Sequence, residues 1–264
     1  MASTDWDPAT YAEFAELRAR PFWDLAELID TTRPLRSMAD LGCGTGQLTV
    51  ELAERLGVER VLGVDSSPAM LAASADHAGP GRRVEAGDLA RWTTDEPVDL
   101  IVANASLQWV ADHPTVLGRW IDQLAPGGQI VVQVPANADH PSHTCSAAVA
   151  EREPFVSALG HAPPPDPVAA NVLAPENYAS ILVACGADDP HVRLQVYPQM
   201  MDETAAVVNW TRGTSLTRFF SALPPELHEP FVEAYRAELL GVLGDVRPYL
   251  YTFKRVLMAA RLPV

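Results

Sequence analysis

"ADLGCGTGQ", residues 39–47, places three glycines, Gly42, Gly44 and Gly46, within five positions directly after the short apolar approach "MADL". Glycine this dense costs backbone entropy, so the main chain must either adopt conformations that a side chain forbids or come close to something. A glycine turn between a strand and a helix allows both. It lets a ligand reach the backbone and aims the first N–H groups of the helix at it. The next stretch, "LTVELAERLG" (48–57), repeats apolar residues at helical spacing and stops on glycine.

Working outward, strands and helices alternate. "RVLGVD" (60–65) is a short apolar run ending on an acid, and "SPAMLAASADHA" (67–78) starts a helix on a serine cap, Ser66 or Ser67, with Pro68 in the first turn. "VDLIVAN" (98–104) reads as a buried strand, "VLGRWIDQLAPGG" (116–128) as a helix with its stop, and "QIVVQVP" (129–135) as another strand. This alternation predicts an α/β fold with a parallel, doubly wound, Rossmann-like sheet.

Beyond Pro135 the pattern changes. "PANADHPSH" and "HAPPPDPVAANVLAP" are Pro-rich and flank a helix-like "SAAVAEREPFVSAL". "PENYASILVACGAD", "AAVVNWTRGTSLTRFF" and "PPELHEPFVEAYRAELLGVL" read as helices, "HVRLQVYPQMM" and "LYTFKRVLMAA" as strands. The expected organisation is N-terminal helices and a Rossmann-like core over 1–138. Residues 139–264 then complete the sheet, with closing strands near 189–201 and 249–260 and helical lid insertions near 139–170 and 203–245.

Composition narrows the partners. Thirty-four acidic against 19 basic residues give a net charge of -15, which argues against nucleic acid. An anionic substrate needs a local basic pocket to overcome that field. No apolar run reaches bilayer-spanning length, and "MASTDWDPATY" lacks the layout of a signal peptide. Cys43, Cys145 and Cys185 form no CxxC pair and no disulfide framework. A soluble cytoplasmic protein is expected.

The loop spacing differs from GxGxxG and lacks the Lys-Ser/Thr ending of a phosphate-binding loop. Asp65, about twenty residues on, stands where a doubly wound fold sets an acid against ribose hydroxyls, though it could equally cap the following helix. Asp88, in "AGDLARW", could accept from an adenine amino group or be a plain turn aspartate. "HPSHTC" (140–145) suggests a metal site but offers three ligands at cramped spacing, so no metal is expected.

Five motifs in order, "ADLGCGTGQ", "VLGVDSSPAML", "AGDLARW", "DLIVANASLQWV" and "LAPGGQIVVQVP", resemble the class I S-adenosylmethionine-dependent methyltransferases. Within that class, "WDPATYAEFAELRARPFWDL" and "ANASLQWVADH", with "PSH", "CGAD", "NWTRGTSL" and "FKRVLMAA", are similar to the trans-aconitate 2-methyltransferase family, over most of the chain. The resemblance implies a mainly parallel seven-stranded sheet, S-adenosylmethionine as cofactor, and a methyl ester formed on a small-molecule polycarboxylate. It places Asp40, Gly42, Gly44 and Gly46 along the cofactor. Asp65, Ser66 and Met70 would surround its ribose and adenine, Asp88 and Leu89 would flank the base, and Asn104 and Ala105 would pass near its amino-acid end. Arg20 is the candidate donor to the methionine carboxylate, with an exposed helix arginine as the alternative.

An ionised carboxylate acceptor needs no base, so no catalytic residue is assigned. Gln108 and Trp109 follow the fourth strand and are candidates to position the acceptor, Trp109 being otherwise a core aromatic. Tyr11, His143, Tyr197, Arg212, Arg218 and Lys254 are candidate donors to a polycarboxylate. Arg212 and Arg218 could instead be exposed arginines of one amphipathic helix. Where the family suggests "GLRP" this chain reads "SLTRFF", and Asn177 precedes Tyr178 in place of a tyrosine pair. A more apolar acceptor, in a pocket of Phe14, Trp23, Trp210 and Phe219, and a non-catalytic cofactor-binding protein are therefore the alternatives. A nicotinamide dehydrogenase ranks last, because the loop spacing is wrong for it.

Overall fold

The computed structural model describes residues 15–264. Helix α1 (Ala15–Ala26) precedes β1 (Ser37–Leu41), α2 (Gln47–Leu56), β2 (Arg60–Asp65), α3 (Pro68–Ser74), β3 (Arg82–Ala86), β4 (Val98–Asn104), α4 (His113–Ile121) and β5 (Leu124–Pro135). Then follow α5 (Pro141–Ala150), α6 (Phe155–Ala158), α7 (Pro167–Asn171), α8 (Pro175–Ala184), β6 (Asp188–Met201), α9 (Ala206–Arg212), α10 (Thr217–Phe220), α11 (His228–Leu243) and β7 (Tyr249–Arg261).

The seven strands order as β3-β2-β1-β4-β5-β7-β6. Pairs β1/β2, β1/β4, β2/β3 and β4/β5 are parallel and β5/β7 is antiparallel. The α/β expectation of a mainly parallel seven-stranded sheet holds. The order reverses between β1 and β4, and in such sheets the crevice at the strands' carboxyl ends is where ligands bind. Asp40 of β1 lies in register with Gly63 of β2 and Val102 of β4, which brings the glycine turn and the end of β4 to that same edge.

The chain forms two compact units, each made of separated stretches. The larger comprises residues 15–135, 171–195 and 255–264. Its strand β1 is buried along its whole length, as a central parallel strand covered on both faces must be. Phe22, Leu25, Met38, Leu52, Leu100, Val131 and Leu257 share its core. The smaller unit contains residues 136–170 and 196–254. Phe231 of α11 packs edge-to-face with Phe155 and at a tilt against Phe219, and Tyr235 donates its hydroxyl to Ser142 O at 3.0 Å.

Two expected helices are broken. "SAAVAEREPFVSAL" splits between α5 and α6 because Pro154 has no N–H to bond Ala150, where α5 ends. "AAVVNWTRGTSLTRFF" splits into α9 and α10 around Gly213. There the Thr211, Thr214 and Thr217 hydroxyls bond back to main-chain carbonyls and compete with the helical ladder. Arg212 and Arg218 therefore sit on separate short helices, and "LAPGG" opens β5 rather than closing α4.

Candidate functional site

The glycine turn folds back onto the end of β2. Gly42 and Cys43 both donate N–H to Val64 O, at 2.7 and 3.1 Å. Gly44 N–H donates to Asp65 Oδ2 at 2.9 Å and Ser67 N–H to Asp65 Oδ1 at 2.9 Å. Asp65 thus ties the turn to the start of α3, and each oxygen keeps a lone pair for a further donor. Ser67, not Ser66, caps α3, through Met70 N–H; Ser66 is exposed and Met70 buried.

The three glycines serve different needs. All have positive φ, +88° at Gly42, +57° at Gly44 and +78° at Gly46. A Cβ on Gly42 would stand 2.2 Å from Ser106 Cβ, whereas one on Gly44 meets nothing within 4 Å. Gly42 is therefore required by the end of β4 packing against it, and Gly44 leaves open space where a ligand can approach the backbone.

Beneath the turn, Asp40 is only 4% exposed, and Thr49 Oγ1 donates to its Oδ2 at 2.5 Å. Burial pushes its carboxyl up to about 7, against the Thr49 hydrogen bond and with the Asp65 charge adding to the rise. Asp88 accepts Ala90 N–H in a turn, and the Leu89 carbonyl accepts from Trp120 Nε1. Asn104 Oδ1 is buried without a hydrogen-bond partner among the described residues. Ala105, at φ +53°, donates its N–H to Gln133 O and accepts Gln108 Nε2 at 2.6 Å. The open face at Gly44, the orphaned Asn104 oxygen and the spare capacity of Asp65 fit a ligand carrying hydroxyl and ammonium donors. S-adenosylmethionine is such a ligand.

Trp109 is 37% exposed, so it is not a core aromatic. Its turn is fixed by residues that the sequence did not single out for this role. Asn171 Nδ2 donates to Gln108 O. His113 Nε2 lies 3.0 Å from Leu107 O and Nδ1 2.7 Å from the Tyr178 hydroxyl. A carbonyl only accepts, so the proton is on Nε2 and Tyr178 donates to Nδ1, while its oxygen takes Leu173 N–H. Burial keeps His113 neutral by pushing its pKa down, and pushes Tyr178 up to about 12. Tyr178→Phe strands both partners and is expected to cost about 1–3 kcal/mol in urea unfolding. An unchanged midpoint would show that the network carries no stability.

In the smaller unit the acceptor candidates separate. Arg212 forks onto Glu229, and Lys254 holds Asp139 at 2.6 Å, both as surface ion pairs. Tyr197 is buried and stacks on Phe253. His143 Nδ1 lies 2.6 Å from Asp166 Oδ2, and Arg218 is 9% exposed rather than an open helix arginine. Of the apolar alternative, Trp23 lies under the Arg55 guanidinium in the larger unit, and Phe219 is core of the smaller one. Arg20 is exposed on α1. Tyr11 and Phe14 lie outside the described residues. Within "HPSHTC", His140 caps α5 through Ser142 N–H, and no metal-ligating group of three forms among the described residues.

A family model described as a methyltransferase domain matches residues 38–128, the span from β1 into β5. A trans-aconitate 2-methyltransferase of Streptomyces coelicolor is 40% identical over 98% of this chain and 87% of its own. One from Deinococcus radiodurans is 39% identical over 98% of both. Haemonchus contortus phosphoethanolamine N-methyltransferase 2, solved with S-adenosyl-L-methionine, superposes with TM-score 0.52 at 17% identity, over 88% of this chain and 50% of that one, a likeness of fold. No helix among the described residues is long and apolar enough to cross a membrane. With the sheet order, the glycine turn and full-length relatives in agreement, the chain belongs to the trans-aconitate 2-methyltransferase family of class I S-adenosylmethionine-dependent methyltransferases.

Proposed function

We propose that this protein transfers a methyl group to one carboxylate of trans-aconitate, forming a monomethyl ester, in the cytoplasm. The observation that carries the reading is the full-length likeness to relatives bearing that name, at 40 and 39% identity. When bound, S-adenosylmethionine would supply an electrophilic methyl on its sulfonium, for an acceptor carboxylate to take with a C–O bond forming as the C–S bond breaks and the neutral thioether leaves. The carboxylate is already ionised near neutrality, so no proton has to move. The protein's work is therefore alignment and exclusion of water.

Asp65 takes the ribose hydroxyls with its remaining lone pairs, and the Gly44 backbone admits the ligand's close approach. Asp40, Gly42 and Gly46 hold the turn in shape. Met70, Asp88 and Leu89 flank the adenine. Asn104, Ala105 and Arg20 serve the amino-acid end. Gln108 and Trp109, on a turn locked by His113 and Asn171, position the acceptor. The net charge of -15 agrees with a small-molecule substrate rather than nucleic acid.

The test is a mass-spectrometric turnover assay with S-adenosylmethionine and trans-aconitate, cis-aconitate, isocitrate and citrate. A methyl ester forming fastest on trans-aconitate is expected. Cofactor binding with no ester on any of the four acids rules the proposed acceptor out.

A further inference from the structure

The turn that follows β4 holds a conformation its own residues do not favour. Ala105 sits at φ +53°, in the left-handed region that alanine rarely adopts. A non-glycine residue stays there only where its surroundings over-determine it, and such strain gathers at functional sites. Here the surroundings are specific. Ala105 N–H donates to Gln133 O of β5 at 2.9 Å, and the Ala105 carbonyl takes Gln108 Nε2 at 2.6 Å. Ser106 Oγ donates to Leu41 O at the end of β1.

Two further holds reach the turn from a distant part of the same unit. Asn171, the last residue of α7, gives Nδ2 to Gln108 O at 2.9 Å across 63 positions of sequence. Tyr178 of α8 is fully buried and donates to His113 Nδ1 at 2.7 Å, which keeps the ring proton on Nε2 for Leu107 O at 3.0 Å. Leu173 N–H occupies the Tyr178 oxygen at 3.1 Å. Burial lowers the His113 pKa against the neighbouring Asp112 charge, so the ring is neutral and has the one donor and one acceptor this relay needs. Without the Tyr178 hydroxyl a neutral His113 can take either tautomer, and in one of them Leu107 O loses its donor. Every residue named here lies in the larger unit.

We infer that Tyr178 and Asn171 are positioning residues for methyl transfer, which set the geometry of the turn 104–109 through His113 and through the Gln108 carbonyl. This rests on the methyl-transfer reading above, in which that turn carries the residues that meet cofactor and acceptor. Neither Tyr178 nor Asn171 touches a reactant. They act on the rate by holding a strained turn in the one shape that aligns the reacting groups.

The test compares the full-length wild type with Tyr178→Phe, with Asn171→Ala, and with Tyr178→Phe combined with Ala105→Gly. The kcat and KM for trans-aconitate are measured with S-adenosylmethionine at a temperature where every variant is folded. Hydrogen exchange at residues 104–110 is followed by mass spectrometry, with β1 as the internal reference. Each single variant is expected to lose about 10-fold or more in activity, carried by kcat rather than by KM, and to exchange faster at 104–110 but not at β1. A residue that only adds stability leaves the kcat of the folded enzyme unchanged. Glycine adopts φ +53° without strain, so Ala105→Gly should restore part of the kcat lost in Tyr178→Phe. Should Tyr178→Phe fail to fold, Asn171→Ala decides. An unchanged kcat in the single variants, or no recovery with the glycine, overturns the assignment. If the wild type methylates no acid, the methyl-transfer reading fails separately. Exchange then decides the hold on the turn: faster exchange confined to 104–110 upholds it, and an unchanged rate overturns it.

Discussion

Gly42→Ala is expected to destabilise the protein by about 3 kcal/mol or more, through a left-handed alanine and an overpacked contact acting together. The new Cβ would stand 2.2 Å from Ser106 Cβ, an atom fixed to the backbone, while Ser106 Oγ donates to Leu41 O at 2.5 Å and cannot swing aside without losing that bond. The remedy follows from the same geometry. With Ser106→Gly the next atom met is Leu89 Cδ1 at 3.6 Å, an ordinary contact. The double variant should recover the overpacking part and leave only the cost of φ +88°. Urea unfolding of the two single variants and the double one measures this. No recovery in the double variant would show that the clash is not what makes glycine necessary.

Asp40→Asn should produce the second large effect, and one that depends on pH. Burial raises the folded-state carboxyl from 3.8 to about 7, so between those values the folded protein binds more protons than the unfolded chain. Stability from this group is complete below about pH 4 and is lost as pH rises toward 7, after which the loss is constant. An asparagine there accepts the Thr49 hydroxyl in the same place without a charge to bury. The variant should therefore gain on the wild type as pH rises, by on the order of 4 kcal/mol between pH 4 and pH 8. Other titrating groups are common to both proteins and cancel in the comparison. Unfolding midpoints of cofactor-free protein at several pH values test this; a gap that stays constant, or narrows with pH, contradicts a carboxyl that burial raises at Asp40.

Local features of the sequence carried a large share of the fold. The run "MADL" followed by Gly42, Gly44 and Gly46 and an amphipathic stretch determines strand, turn and helix, because φ and side-chain periodicity are set by near neighbours. The position of Asp65 at the end of the second strand was legible too, though not its ties to Gly44 and Ser67. The split of "AAVVNWTRGTSLTRFF" was not, because helical propensity there is outweighed by threonine hydroxyls that bond back to the chain.

What only the tertiary structure decided is the surroundings in which each of several similar residues comes to rest. The three glycines look alike in the sequence. Their separate reasons appear once Ser106, which bonds the carbonyl of Leu41 from 65 residues away, comes to rest against Gly42. Arg212, Arg218 and Lys254 are equal cations in the sequence, yet two pair with acids at the surface and one is buried against Asp166 and Ser146. Asp166 stood in a stretch that read as irregular and provides the carboxylate shared by His143 and Arg218. Local conformation depends on residues a few positions apart and is written in order along the chain. Burial, ion pairing and steric exclusion depend on partners that only the folded sheet and its helices bring together.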